Sequence, residues 1–142
     1  MSEDQVRVGV VMMIFQEGKV LMEKRCSEYE DKKYWSFIAG GKKSAETVVD
    51  AAKREVREEV GAKFIPDDIV GLLDHKDRHG GDAWWTVTVF SGDIEGEVKQ
   101  GLEPNKRESL EWFDMDNLPE PLHPTTRQAL KTYSSEKLHS QL

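Results

Sequence analysis

A glycine pair followed by a strongly acidic amphipathic segment constrains this chain more than any other feature. The pair, Gly40 and Gly41, precedes a stretch in which apolar and charged side chains recur at helical spacing. In a helix of 3.6 residues per turn, Glu55, Glu58 and Glu59 share one stripe. Carboxylates at positions i and i+4 repel one another, and a bound divalent cation would turn that repulsion into coordination. The spacing therefore predicts a helix that carries a candidate Mg²⁺ site.

The predicted helix spans residues 45–60, with Ser44 as its N-cap and Gly61 as its C-terminal stop. A stripe of apolar residues runs beside the acidic one: Val49, Ala52, Val56 and Val60. The helix can therefore pack on a core while it offers its carboxylates to a cleft. The alternative interpretation of three glutamates on one helix is a solvated surface.

Residues 40–62 resemble the Nudix box, G-x5-E-x7-R-E-U-x-E-E-x-G-U, where U is a bulky aliphatic residue. Its positions are filled by Gly40, Glu46, Arg54, Glu55, Val56, Glu58, Glu59 and Gly61. The chain departs from the family pattern at Ala62, where a larger aliphatic residue is usual. It departs again at Ala39 and Ala45, where many members carry proline and glycine, and Ser44 stands where a carboxylate is often seen. These changes bear on loop flexibility and on the number of metal ions.

The resemblance implies a Mg²⁺ centre, in which Mn²⁺ could substitute, with these ligands: the side chains of Glu55, Glu58 and Glu59 and the backbone carbonyl of Gly40. It also implies that Arg54 holds the ligand carboxylates in orientation. The alternative for Arg54 is an exposed ion pair with Asp50, one turn earlier. Glu46 would support the junction between loop and helix.

The general base is open between a carboxylate inside the box and one outside it. Glu55 could take the proton of the attacking water itself. In parts of the family a downstream carboxylate does so, and Glu103 lies in a loop that could reach over the cleft. Glu108 and Glu111 compete for that role, and a solvated glutamate is the alternative for each.

Cationic and aromatic side chains are candidates for substrate contacts. The phosphate candidates are Arg25, Lys42, Lys43 and Lys24, of which Arg25 is best placed because it ends a strand and can bind bidentately. The candidates for stacking on a nucleobase are Trp35, Phe37, Trp84 and Trp85. Neighbouring residues in a strand point to opposite faces, so only one of Trp84 and Trp85 can face a given cleft. Core burial is the alternative for each aromatic ring.

Hydrophobic periodicity predicts strands at residues 6–15, 19–25, 34–39, 69–76, 83–91 and 109–114, and a closing helix from residue 125 to 133 or beyond. Residues 16–18 form a predicted turn, and residues 79–82 form another. The first strand is apolar on both faces, which indicates burial on both sides. The pattern predicts an α+β or α/β layered domain. The resemblance implies an α/β/α sandwich, with a mixed sheet between helices and the box as loop–helix–loop.

The bulk composition fits one domain over residues 1–142. The net charge of −7 argues against a nucleic-acid polymer as partner, and no apolar run approaches a membrane span. A single cysteine, Cys26, suits the reducing cytoplasm. The expected partner is a small nucleotide substrate, bound by a monomer or a homodimer.

The resemblance implies an enzyme, a Mg²⁺-dependent hydrolase of a phosphoanhydride. Residues 103–119 are similar to the ending of MutT-type members, which favours a nucleoside triphosphate or modified dNTP cleaved to monophosphate and pyrophosphate. One alternative is a hydrolase of another nucleoside diphosphate derivative, such as a nucleotide sugar or ADP-ribose. The other is a catalytically silent domain that binds nucleotides.

Overall fold

The structure is a computed structural model that describes residues 6–26, 33–76 and 84–141. The predicted turn at residues 79–82 lies outside the described residues. Within them, seven strands and two helices follow one another: β1 Val6–Gln16, β2 Lys19–Arg25, β3 Trp35–Ser36, β4 Ile38–Gly41, α1 Val48–Val60, β5 Lys63–Lys76, β6 Trp84–Glu95, β7 Arg107–Asp114 and α2 Pro124–Gln141.

Strand β1 is the centre of a mixed sheet. It pairs in parallel with β6 and antiparallel with β4, and β6 pairs antiparallel with β5. The end of β1 turns at Glu17 and Gly18, as predicted, into β2. Strand β2 in turn pairs antiparallel with β3 and β7. This topology brings β2, β4 and the start of α1 to the same region of the molecule.

Alternate residues of β1 bury themselves on opposite faces of the sheet. Val10, Met12 and Ile14 join the core cluster that α1 covers, whereas Val11 and Met13 join the cluster that α2 covers. The prediction of a strand buried on both sides is therefore confirmed. So is the predicted fold class, a mixed sheet between helices.

Helix α1 starts three residues later than predicted, and its N-cap is Thr47 rather than Ser44. The Thr47 hydroxyl accepts a hydrogen bond from the Asp50 amide, and the Asp50 carboxylate accepts one from the Thr47 amide. This reciprocal capping box needs a carboxyl or amide side chain three residues after the cap. Ser44 lacks one, because Thr47 stands at that place. Gly61 ends the helix in a left-handed conformation, as predicted.

Three strand predictions were wrong in their bounds. Residues 34–39 form two short strands, because the chain leaves β2 after Ser36 and joins β1 from Ile38. Strand β5 starts at Lys63, before the predicted residue 69, and β6 continues to Glu95. Irregular pairing around Pro66 lets β5 continue past a residue that cannot donate to a sheet.

Helix α2 begins at Pro124, where the absent amide hydrogen costs nothing. The His123 ring accepts a hydrogen bond from the Thr125 amide and so caps the first turn. Ala129 lies in the core cluster against the sheet. In the described part of the chain, no helix combines the length and the hydropathy of a membrane span.

Candidate active site

Gly40 and Glu55 meet where strand β4 reaches helix α1. A Cβ atom placed on Gly40 would lie 2.1 Å from the Cδ atom of Glu55 and 2.5 Å from each of its carboxylate oxygens. Only glycine lets the backbone approach the carboxylate this closely. A Cβ atom on Gly41 would meet only the Trp85 ring, at 3.7 Å, an ordinary contact. A side chain at the first glycine would therefore displace the Glu55 carboxylate, whereas one at the second would not.

A single guanidinium ties the box loop to the helix. Arg54 donates to the Gly41 carbonyl at 2.8 Å and, from two of its nitrogens, to Glu46 at 2.6–3.2 Å. Its third nitrogen donates to Glu55 at 2.8 Å and to Glu58 at 3.3 Å. We call these residues the Arg54 network: Gly41, Glu46, Arg54, Glu55 and Glu58. It fixes the helix carboxylates relative to the glycine loop.

The Arg54 network also shows why Glu46 precedes the helix. The Glu46 carboxylate accepts from the Lys43 amide at 2.8 Å as well as from Arg54. The hydrogen bonds from Arg54, followed by that from the Lys43 amide, lower the pKa of Glu46 to about 2. The predicted alternative of an Arg54–Asp50 pair is wrong, since Arg54 contacts other carboxylates and Asp50 caps the helix.

A second set of charged residues has buried atoms without partners in the described part of the chain, and we call it the inner charged layer: Glu23, Glu59 and Arg107. Glu23 on β2 is 4% exposed and Arg107 on β7 is 5% exposed. Their charged groups are 3.7 Å apart, too far for a hydrogen bond. One oxygen each of Glu23 and Glu59 and two nitrogens of Arg107 are buried without a hydrogen-bond partner among the described residues.

Burial and mutual repulsion shift the carboxyl groups of this region in one direction. Burial raises the pKa of Glu59 to about 9, and the carboxylates of Glu23 and Glu55 add to the rise. Burial likewise raises the pKa of Glu23, against the opposing effect of Arg25 and Arg107. Burial also raises the pKa of Glu55, against the hydrogen bond from Arg54. In each case burial, which disfavours the charged form, is the largest cause.

The donor set fits a divalent cation on chemical grounds. Glu59 has a buried oxygen that lacks a partner, and Gly40 brings its backbone against the Glu55 carboxylate. Carboxylate and carbonyl oxygens are the ligands that Mg²⁺ prefers. In the described ranges, no three His, Cys, Asp or Glu side chains are already gathered around one point. A cation would therefore have to draw these oxygens together.

A cavity of about 500 Å³ opens beside the glycine loop, within the range of small-molecule sites. Its wall includes Gly40 and Gly41, so the loop that touches Glu55 also borders the cavity. Phe37 lies in the wall and is almost fully buried, and its amide donates to the Thr126 hydroxyl. Trp85 lies in the wall of the same cavity.

Four of the predicted substrate or metal residues line this cavity: Arg25, Phe37, Gly40 and Trp85. Trp84, which precedes Trp85 in the strand, does not line the cavity, as strand alternation predicts, and is 52% exposed. Glu55, Glu58 and Glu59 are not in the cavity wall, and neither are two predicted substrate contacts, Trp35 and Lys42. Trp35 packs edge-on against Phe113 in the core, and the Lys42 ammonium donates to the Lys43 carbonyl. The core alternative therefore applies to Trp35, because its strand turns that face inward.

The candidate bases outside the box differ in their surroundings. Glu103 is half-buried in the loop before β7, and its charge raises the pKa of Glu23. Glu108 instead pairs with Lys24 and Lys33. Glu111 is exposed on β7. Of the three, Glu103 is the one whose charge reaches the inner charged layer.

Sequence reasoning missed several residues of this region. Glu23 and Arg107 carry no motif, and their pairing depends on strands far apart in the chain. Arg7, His75 and His123 line the cavity, and the Arg7 guanidinium lies 5.7 Å from the Trp85 ring centroid. Strand alternation places Arg7 on the same face as Val11. That signal becomes useful only when the pairing of β1 with β6 is known.

The comparison with protein families decides the classification. The model described as NUDIX domain matches residues 4–133. This chain belongs to the Nudix family. It is accordingly a Nudix pyrophosphohydrolase, and Nudix hydrolases generally use divalent metal cations and act on small nucleotide substrates.

Known proteins agree on the family and differ in substrate. A MutT Nudix hydrolase from Burkholderia pseudomallei superposes with a TM-score of 0.81 at 32% identity, over 91% of this chain and 98% of that one. An RNA pyrophosphohydrolase of Bartonella henselae is 28% identical, over 80% of this chain and 79% of that protein. An 8-oxo-dGDP phosphatase of Mus musculus is 33% identical, over 80% of this chain but 34% of that protein.

Proposed function

We propose that this Nudix enzyme hydrolyses a nucleoside triphosphate or a modified dNTP to the nucleoside monophosphate and pyrophosphate. The observation that supports this most is that Gly40 contacts the Glu55 carboxylate and also lines the cavity. Its backbone touches the Glu55 carboxylate on one side and borders the cavity of about 500 Å³ on the other. A nucleotide in the cavity would therefore present its phosphates to the carboxylates of the box.

In this proposal Glu55, Glu58 and Glu59, with the Gly40 carbonyl, hold Mg²⁺, for which Mn²⁺ can substitute. When bound, the metal neutralises phosphate oxygens and lowers the pKa of the attacking water. Arg54 keeps Glu55 and Glu58 oriented through its hydrogen bonds. The Lys42 ammonium is directed at the Lys43 carbonyl, so we assign it no phosphate contact.

The chain's own residues would handle the substrate and the proton. Arg25 in the cavity wall would bind phosphate oxygens, and the nucleobase would pack against the cavity wall that includes Phe37 and Trp85. The water oxygen bonds to a phosphorus atom of the substrate. The P–O bond that joins the nucleoside monophosphate to pyrophosphate breaks, and pyrophosphate leaves. The water proton passes to a carboxylate, for which we propose Glu103, with Glu55 as the other candidate.

The test is a nucleotide panel assayed with Mg²⁺ and with Mn²⁺, in which both products are identified. The panel contains ordinary and oxidised nucleoside triphosphates and diphosphates, nucleotide sugars, ADP-ribose and 5′-triphosphorylated RNA. Release of pyrophosphate with a nucleoside monophosphate supports the proposal. Release of two monophosphates from a nucleotide sugar or ADP-ribose would identify the substrate as a nucleoside diphosphate derivative instead. Tight binding without any product would replace catalysis by nucleotide binding.

We also propose that residues 1–142 fold as one domain, which acts in the cytoplasm as a monomer or a homodimer. The acidic net charge supports a small nucleotide, rather than a nucleic-acid polymer, as the partner. Sedimentation analysis of the purified protein would fix the oligomeric state.

A further inference from the structure

The buried carboxylate of Glu23 contacts two guanidinium groups, one through each of its oxygens. One oxygen is 3.8 Å from Nε of Arg25, and the other is 3.7 Å from Nη1 of Arg107. These are the distances of ion pairs rather than of hydrogen bonds. Glu23 and Arg107 are almost fully buried, whereas Arg25 is exposed and lines the cavity of the candidate active site. One carboxylate therefore connects an arginine of the interior to an arginine of the cavity wall.

Strand geometry brings these three charges together. Glu23 and Arg25 are two residues apart on β2, so their side chains leave the same face of the strand. Arg107 on β7 is the register partner of Arg25, and the register shift at this point falls on β7, where Glu108 is passed over. The alternation of β2 therefore continues without interruption, and the backbone ladder between β2 and β7 fixes the three side chains relative to one another.

The charges of the three residues also respond to one another. Burial raises the pKa of Glu23, and the two arginines oppose the rise, Arg25 more than Arg107. The exposed guanidinium thus does more than the buried one to keep this carboxylate charged. The attraction between Glu23 and Arg25 is effective even though Arg25 lies at the surface, because Glu23 itself is removed from solvent.

We propose that Glu23 is a positioning residue for Arg25, which it holds in the cavity wall in the orientation that receives a substrate phosphate. Arg107 is the buried partner that keeps Glu23 in place. This inference rests on the proposed function, in which Arg25 binds phosphate oxygens. It adds to that function a carboxylate outside the Nudix box, which touches neither the substrate nor the metal.

The atoms in contact suit such a role. Glu23 lies near Nε of Arg25, and the two terminal nitrogens extend beyond Nε to the end of the side chain. Arginine can therefore accept support at Nε and still bind an anion through its terminal nitrogens. An exposed arginine has many rotamers and loses that freedom when it binds. A carboxylate that already orients the guanidinium lowers this cost before the substrate arrives.

The first experiment observes the Arg25 side chain directly by NMR. Relaxation of the Arg25 Nε–H group gives its order parameter, and Arg25→Gln identifies the signal. We expect the group to be ordered in the unmodified protein and to fall below about 0.6, the range of flexible groups, in Glu23→Gln. Glu95→Gln is the control, since it makes the same charge change at an exposed position of β6, opposite Lys63. It should leave the Arg25 signal unchanged.

The second experiment is a double-mutant cycle in KM, made with the nucleoside triphosphate that the unmodified protein hydrolyses fastest. Arg25→Gln should raise KM roughly 10–100-fold, the scale of a hydrogen bond to a charged group. Glu23→Gln should raise KM about three- to tenfold and change kcat by less than about twofold, as a loss of binding does. In the Arg25→Gln background, Glu23→Gln should have no further effect, because no guanidinium is left to orient.

A second variant covers the case in which Glu23→Gln does not fold. Removal of one partner of a buried ion pair leaves the other charge uncompensated, here that of Arg107. The double variant Glu23→Gln/Arg107→Gln removes both buried charges. It should show the same loss of order at Arg25.

The outcomes separate this inference from the proposed function. An Arg25 order parameter that is unchanged in Glu23→Gln and in the double variant overturns the inference, and so do KM effects of Glu23→Gln and Arg25→Gln that multiply. If Arg25→Gln leaves KM unchanged, the phosphate contact of Arg25 fails and the inference fails with it. If no nucleoside triphosphate is hydrolysed, the proposed function fails, while a loss of Arg25 order in Glu23→Gln still supports the anchoring of Arg25 by Glu23.

Discussion

The Arg54 network and the inner charged layer lie close together, yet they differ in how well their charges are satisfied. In the Arg54 network, one guanidinium donates to two carboxylates of the helix, one of the loop and a loop carbonyl. In the inner charged layer, one oxygen each of Glu23 and Glu59 and two nitrogens of Arg107 are buried without a hydrogen-bond partner among the described residues. The Arg54 network forms its hydrogen bonds without a ligand, and these bonds fix the positions of its side chains. The inner charged layer has unused binding capacity, which is what a metal centre requires.

We expect the largest effect from a variant of the inner charged layer, where buried charged groups lack hydrogen-bond partners within the described ranges. Glu59→Gln should lower turnover by at least about a hundredfold, because a metal ligand is lost where even supporting residues count for about 10–100-fold. The fold should remain, since the neutral amide suits a buried site that disfavours the charge. Steady-state kinetics with Mg²⁺ and far-UV circular dichroism check both parts. If Glu59→Gln showed normal Mg²⁺-dependent turnover, Glu59 would not be a ligand of the metal.

The position of Glu55 in the Arg54 network is tested by a pair of glycine variants. Gly40→Ala places a methyl carbon 2.1 Å from the Glu55 carboxylate, whereas Gly41→Ala meets only Trp85 at 3.7 Å. Displacement of Glu55 should cost roughly 10–100-fold in turnover, the scale for a misplaced metal ligand. Gly41→Ala is the control and should stay close to the unmodified enzyme. Equal activity of the two variants would show that the Gly40–Glu55 contact does not position the site.

A variant of the Arg54 network, whose charges are hydrogen-bonded, should lose stability as well as activity. Arg54→Gln removes the donor that Glu46, Glu55 and the Gly41 carbonyl share, so several acceptors lose their partner at once. We expect a lower melting temperature and a lower kcat. In Glu59→Gln only turnover should fall. A melting temperature unchanged by Arg54→Gln would contradict the structural role of the network.

The smallest effect is a pH dependence of the stability that Glu46 provides. The pKa of Glu46 is lowered to about 2 in the folded protein, below its ordinary value of 4.5. A depressed folded-state pKa gives stability that is present above the unfolded pKa and is lost as the pH falls through the folded one. Glu46→Gln should therefore melt lower than the unmodified protein near neutral pH. The difference should shrink from about pH 4.5 downward and vanish near pH 2. A difference that stays constant down to pH 2 would show that the charge of Glu46 is not responsible.

Local patterns were sufficient where one element determines the outcome by itself. The double apolar pattern of β1 predicted burial on both faces, which Val10 and Val11 confirm on opposite sides of the sheet. The helix end at Gly61 was predicted because a left-handed residue needs no distant partner. The helix start was placed too early, since the choice between Ser44 and Thr47 depends on a carboxylate three residues later.

Local patterns failed where the outcome depends on which strands become neighbours. Trp35 and Trp85 are both aromatic strand residues, but one packs against Phe113 in the core and the other lines the cavity. Their sequences contain no signal for this difference, because strand alternation assigns faces only relative to a known pairing. The same applies to Arg7 on β1.

The sequence by itself determined the box: the helix, its three-glutamate stripe, the glycine at its entrance and the family to which the chain belongs. These features are local, since helical spacing alone places the glutamates of one turn beside each other. Only the tertiary structure decided that Glu23 and Arg107, from strands far apart in the chain, are buried with their charged groups 3.7 Å apart. The physical reason is that their proximity comes from the pairing of β2 with β7, which no local periodicity specifies.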